Sequence, residues 1–110
     1  MKLQIDGPHL RLRLSEEQLA ALLGEGRLTS SLRCPSGERA TRVLVLDETL
    51  TAPACAGDLM DLRVLLPRGA FAAFAAERPR RDGFTFASDG IEISIEVDVR
   101  DSRKAMPLKR

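Results

Sequence analysis

The sequence predicts an α+β fold: a single domain of two strand-helix-strand-strand repeats, giving a six-stranded, mainly antiparallel and curled sheet with two helices on one face. Three observations carry that prediction. Leu10-Arg11-Leu12-Arg13-Leu14, followed by Ser15 and the cluster Leu19, Ala20, Ala21 and Leu22, has a counterpart in Leu62-Arg63-Val64-Leu65-Leu66, followed by Pro67 and Phe71, Ala72, Ala73 and Phe74. Each copy runs into a paired-strand pattern, and the second pattern contains Asp89-Gly90 between alternating runs. Neither half could bury its apolar face without the other, so the repeat implies one pseudo-symmetric domain. That domain spans 1–100, with repeats over about 2–47 and 58–99, and leaves 101–110 as a flexible basic tail.

Leu3 and Ile5 alternate with Lys2, Gln4 and Asp6; Gly7-Pro8 then interrupts before Leu10, Leu12 and Leu14 alternate with Arg11 and Arg13. Period-two alternation sets the leucines on one face and the arginines on the other. Ser15 and Gln18 form a capping-box pattern, and Leu19, Leu22 and Leu23 supply the stripe of a short helix that Gly24 or Gly26 ends. Leu28, Ser30, Leu32 and Cys34 share a strand face, Pro35-Ser36-Gly37-Glu38 reads as a hairpin turn, and the return strand runs from Thr41 to Leu46. Val43-Leu44-Val45-Leu46 is apolar on both faces, the pattern of a central strand.

The stretch from Asp47 to Gly57 has no periodicity and reads as a linker. Leu62, Val64 and Leu66 then make a strand face, Pro67 suits a first helical turn, and Ala70, Phe71, Phe74 and Ala75 form the inward stripe of a helix that Arg78-Pro79 stops. Phe84 and Phe86 precede Asp89-Gly90, after which Ile91, Ile93, Ile95, Val97 and Val99 alternate with polar residues: a hairpin with a type I′ turn.

Composition excludes several function classes. At 44% hydrophobic and 30% charged the chain is that of a soluble globular protein, and no apolar run approaches the roughly 20 residues of a membrane helix. The first residues meet charge and Gly7-Pro8 before any signal-peptide core forms, so a cytoplasmic location is expected and no membrane partner. A net charge of +1 with interspersed signs predicts no nucleic-acid partner. Cys34 and Cys55 form no CxxC pair and read as structural thiols.

Chemistry-bearing patterns are sparse. His9 is the sole histidine, lies beside Pro8 with no nucleophile motif around it, and reads as a turn residue. One His and two unspaced Cys give no metal set, so neither a metal nor a cofactor is predicted, and no catalytic residue is assigned. Arg11, Arg13 and Arg63 project from corresponding strands, and Arg42 joins them as a candidate anion-binding set, because convergent guanidinium groups clamp an anion bidentately. The alternative for the same face is a salt ladder with Glu92, Glu96 and Asp98. The loop Arg78-Pro79-Arg80-Arg81 lacks interleaved aromatics and reads as surface. Val43, Val45 and Leu65 fall on strand faces opposite the helix-facing residues and are the candidate interface of a homodimer.

Met1-Lys2-Leu3-Gln4-Ile5, Leu10-Arg11-Leu12-Arg13-Leu14-Ser15, the helix containing Leu19, and the strand Ile93-Ser94-Ile95-Glu96-Val97-Asp98 resemble a family of small uncharacterised bacterial proteins. Members carry Lys and an aromatic around the positions of Val97 and Val99 with a Cys shortly after, and this chain has neither. The resemblance implies the architecture and no activity. The expected function is a small interaction or ligand-binding module. One alternative is an anion- or phosphate-binding enzyme on the arginine face with Glu96 as base; another is a partner or inhibitor protein of a bacterial regulatory or toxin-related operon.

Overall fold

Lys2–Asp6 (β1) and His9–Leu14 (β2) form a hairpin across Gly7-Pro8, with Leu3 opposite Leu12 and Ile5 opposite Leu10. The computed structural model describes residues 1–77 and 83–98; the expected tail, Val99 and the basic loop 78–81 lie outside the described residues. Ser15 opens the helix Glu16–Glu25 (α1) as a reciprocal cap: the Gln18 backbone N–H donates to Ser15 Oγ at 3.1 Å and the Ser15 N–H donates to Gln18 Oε1 at 2.9 Å. The Gly26 N–H, bonded to the Leu22 carbonyl at 2.8 Å, closes the helix.

Arg27–Arg33 (β3) and Arg39–Asp47 (β4) form the next hairpin, followed by Ala54–Asp58 (β5), Asp61–Pro67 (β6), the helix Arg68–Ala76 (α2), Phe84–Ser88 (β7) and Ile91–Val97 (β8). Asp89 (φ 47°) and Gly90 (φ 86°) both adopt the left-handed region between β7 and β8, as a type I′ turn demands. Each helix therefore follows one strand pair and precedes another.

The chain divides into two compact units, Met1–Ala20 with the described residues from Glu77 onward, and Ala21–Ala76. The first holds a mixed sheet of order β1-β2-β8-β7, hereafter sheet one, in which β2 and β8 run parallel between two antiparallel outer strands. Leu10, Leu12 and Leu14 alternate with polar residues along β2, Ile93 and Ile95 do so along β8, and all five are buried. The second unit holds a sheet of order β3-β4-β6-β5, sheet two, with β4 and β6 parallel at its centre. Ala40, Leu44 and Leu46 of β4 and Leu62, Val64 and Leu66 of β6 line one buried face. Helix α2 packs on β6 and β4, and it buries Phe71, Phe74 and Ala75, with the two rings 5.5 Å apart and tilted by 41°.

Among the described residues, eight strands in two four-stranded mixed sheets replace the expected single six-stranded, mainly antiparallel sheet of two repeats with both helices on one face. Two strands account for the difference in number. Gly7-Pro8, read as an interruption, turns β1 back onto β2 as a full partner. The expected linker overlaps all but the last residue of β5, whose Ala-Cys-Ala-Gly-Asp sequence has no β-branched or aromatic residue and whose pairing is supplied by β6. The parallel pairs join strands far apart in sequence, which no local pattern records.

Candidate functional site

The outward face of sheet one is a grid of polar side chains. Because β2 and β8 are parallel and in register, His9 stands beside Glu92, Arg11 beside Ser94 and Arg13 beside Glu96. The outer strands complete the rows: Asp6 and Ala87 flank the first pair, Gln4 and Thr85 the second, and Lys2 extends the third. On the two central strands Leu10, Leu12, Leu14, Ile93 and Ile95 are committed to the buried face, which sends the alternating polar side chains outward.

Neighbouring charges in this grid pair. His9 Nδ1 lies 2.8 Å from Glu92 Oε1. Glu96 receives two guanidinium groups, with Arg11 Nε 3.5 Å from Oε2 and Arg13 Nε 3.8 Å from Oε1. A short hydroxyl chain extends from it, since Thr85 Oγ1 donates to Ser94 Oγ at 3.3 Å and Ser94 Oγ donates to Glu96 Oε2 at 3.4 Å. Each exposed pair contributes at most about 1 kcal/mol, so the network orients its members more than it stabilises the fold. Asp6, His9, Arg11, Gly83, Thr85, Glu92, Ser94 and Glu96 line a shallow groove of about 620 Å³.

Gly83 borders this groove because nothing larger fits. A Cβ at that position would run into Ser94 Oγ and would stand 2.8 Å from Glu96 Cγ and 2.9 Å from the Ile95 carbonyl oxygen.

The four candidate arginines divide between the two units, two in each. Arg11 and Arg13 share the sheet-one face and are engaged by Glu96. Arg63 and Arg42 belong to sheet two and lie on its opposite faces, since Arg63 is level with Val43 whereas Arg42 is level with Leu62. Arg42 Nε is buried without a hydrogen-bond partner among the described residues. His9 is not the turn residue expected; it is the first residue of β2, with Nδ1 facing the Glu92 carboxylate. The contributions of Asp6, Thr85 and Gly83 were not legible in sequence, because they come from strands whose neighbours only the sheet order specifies.

Val43, Val45 and Leu65 do share the outward face of sheet two. Val45 is level with Leu65, and Val43 is level with Arg63. Val43 is 8% exposed, and the other two are half-buried. Cys34 and Cys55 are both free and half-buried, and burial pushes the Cys55 thiol pKa up. Among the described residues no three His, Cys, Asp or Glu gather as metal ligands, and no helix is long and apolar enough to cross a membrane. No family model, no curated protein and no solved structure matches the chain.

Proposed function

We propose that this chain is a non-catalytic binding module whose recognition surface is the polar face of sheet one, and that it takes a cationic group, an amine or guanidinium. One observation carries the reading: the groove there is lined by three carboxylates, Asp6, Glu92 and Glu96, against a single guanidinium, Arg11, and the half-exposed His9. Carboxylates held by strand pairing are preorganised acceptors, and a cation that replaces Arg11 or His9 on them inherits an oriented site. Thr85 and Ser94 add hydroxyls that donate or accept as the ligand requires. The anion-binding alternative places an anion beside Asp6, Glu92 and Glu96, whose charge repels it.

Titration of the isotopically labelled full chain separates these readings, with agmatine as the cationic probe and inorganic phosphate as the anionic one. Agmatine is expected to shift the amide signals of Arg11, Glu92, Ser94 and Glu96. Glu92→Gln is expected to weaken that binding by about tenfold, because one of the three carboxylates that would hold the cation is lost. Phosphate shifting those signals while agmatine leaves them still would reverse the reading.

A further inference from the structure

The imidazole of His9 stands where its charge changes the charge of the groove on sheet one. His9 opens β2 level with Asp6 of β1 and Glu92 of β8, and its Nδ1 lies 2.8 Å from Glu92 Oε1. A carboxylate oxygen accepts, so Nδ1 carries the hydrogen in that contact and Nε2 is left as the atom that takes up or gives off a proton. The contact persists in either protonation state, while the charge beside Glu92 changes by one. His9 and Glu92 are both half-exposed, so water reaches the pair.

The charged groups around His9 come from three strands and one turn. Asp6 faces it from β1, with Lys2 at the far end of that strand; Arg11 and Arg13 follow it on β2; Glu92 and Glu96 face it from β8. The β7 positions on this face, Thr85 and Ala87, carry no charge, and Asp89 stands in the β7-β8 turn at the same end of the sheet. Arg11 and Arg13 both engage Glu96, which leaves His9 as the partner that decides the charge at Glu92.

We propose that His9 gates the cation site by its protonation: neutral His9 leaves Glu92 and Asp6 open to an amine or guanidinium, and His9 with a second ring proton repels it. The inference rests on the cation-binding reading of this groove and adds its regulation. With His9 neutral the groove offers three carboxylates against one guanidinium, Arg11; protonation makes that three against two cations, one of them already hydrogen-bonded to Glu92. Linkage makes the effect reciprocal, so a bound cation favours loss of the proton by the factor with which the proton weakens the cation. Between about pH 5.5 and 8.5 imidazole side chains ordinarily change charge whereas carboxylates and guanidinium groups keep theirs, which makes His9 the group through which pH acts on this groove.

Calorimetric titration of the full chain with agmatine at about pH 5.5 and about pH 8.5, at constant ionic strength, tests it, since an amine and a guanidinium keep their charges over that range. The wild type is expected to bind about fourfold more weakly at the lower pH, the effect of one charge roughly 5 Å away in water. His9→Gln, which keeps a donor for Glu92, should bind at both pH values as the wild type does at the higher one. His9→Lys, charged throughout, should bind at both as the wild type does at the lower one. Equal wild-type affinities at the two pH values overturn the gate and leave the cation reading standing, and so does a pH dependence that survives in His9→Gln. Absence of binding at both pH values overturns the cation reading and the gate together.

Discussion

Glu96 stands between two arginines of the neighbouring parallel strand, one carboxylate oxygen 3.5 Å from Arg11 Nε and the other 3.8 Å from Arg13 Nε. Arg11 and Arg13 are two residues apart on one strand face, so a single carboxylate on the adjacent strand reaches both. Glu96→Gln removes both pairs. With Arg11 half-exposed and Glu96 a quarter exposed, the loss of the two pairs should be no more than about 2 kcal/mol, read from the urea midpoint at constant slope. A loss several times larger would mean that Glu96 supports the core and not merely the polar face.

Gly83 and Gly24 respond oppositely to the same change. Gly83→Ala drives a methyl into Ser94, Glu96 Cγ and the Ile95 carbonyl, and overpacking of that kind costs about 1 to 3 kcal/mol. Gly24 lies within α1 with nothing near its added methyl, so Gly24→Ala should stabilise by about 0.5 to 1 kcal/mol. Thermal midpoints moving in the same direction would contradict the packing described for Gly83.

Phe71 is fully buried in α2 beside Phe74. Phe71→Ala should cost about 3 to 5 kcal/mol, the range for deleting a buried aromatic side chain. An exposed helix position, Ala72→Ser, serves as the reference and should change stability little. Equilibrium denaturation of the two variants gives the comparison.

Asp47 Oδ1 accepts from both the Thr49 hydroxyl, at 2.7 Å, and the Thr49 N–H, at 2.8 Å, and these bonds hold its pKa below the usual carboxylate value. The folded state therefore binds this proton less readily than the unfolded state. Stability from Asp47 is present above the ordinary carboxylate pKa and is lost as pH falls toward the depressed one. Asp47→Asn should flatten the acid limb of the stability curve over that window, lowering stability at neutral pH and leaving it almost unchanged below the depressed pKa. Cys55 has the opposite sign: with its thiol pKa raised by burial, stability should fall as pH rises through the ordinary thiol range, and Cys55→Ala should remove that fall.

Local chemistry in the chain determined much of what the structure shows. Ser15 and Gln18 cap α1 because a hydroxyl and an amide three residues apart satisfy each other's backbone donors at a helix start. Asp89-Gly90 turns β7 into β8 because those residues accept positive φ. Alternation along Leu10 to Leu14 and Ile91 to Val97 assigned each side chain to one of two faces before any neighbour was known.

Tertiary structure alone decided which strands become parallel neighbours, and with them the site. Backbone ladders are the same for any strand, so sequence periodicity carries no information about the partner or its register. That choice is made by burying apolar faces between segments far apart in the chain, which put Glu96 beside Arg13, drew the plain segment Ala54–Asp58 into a sheet, and sent Arg42 and Arg63 to opposite faces of it.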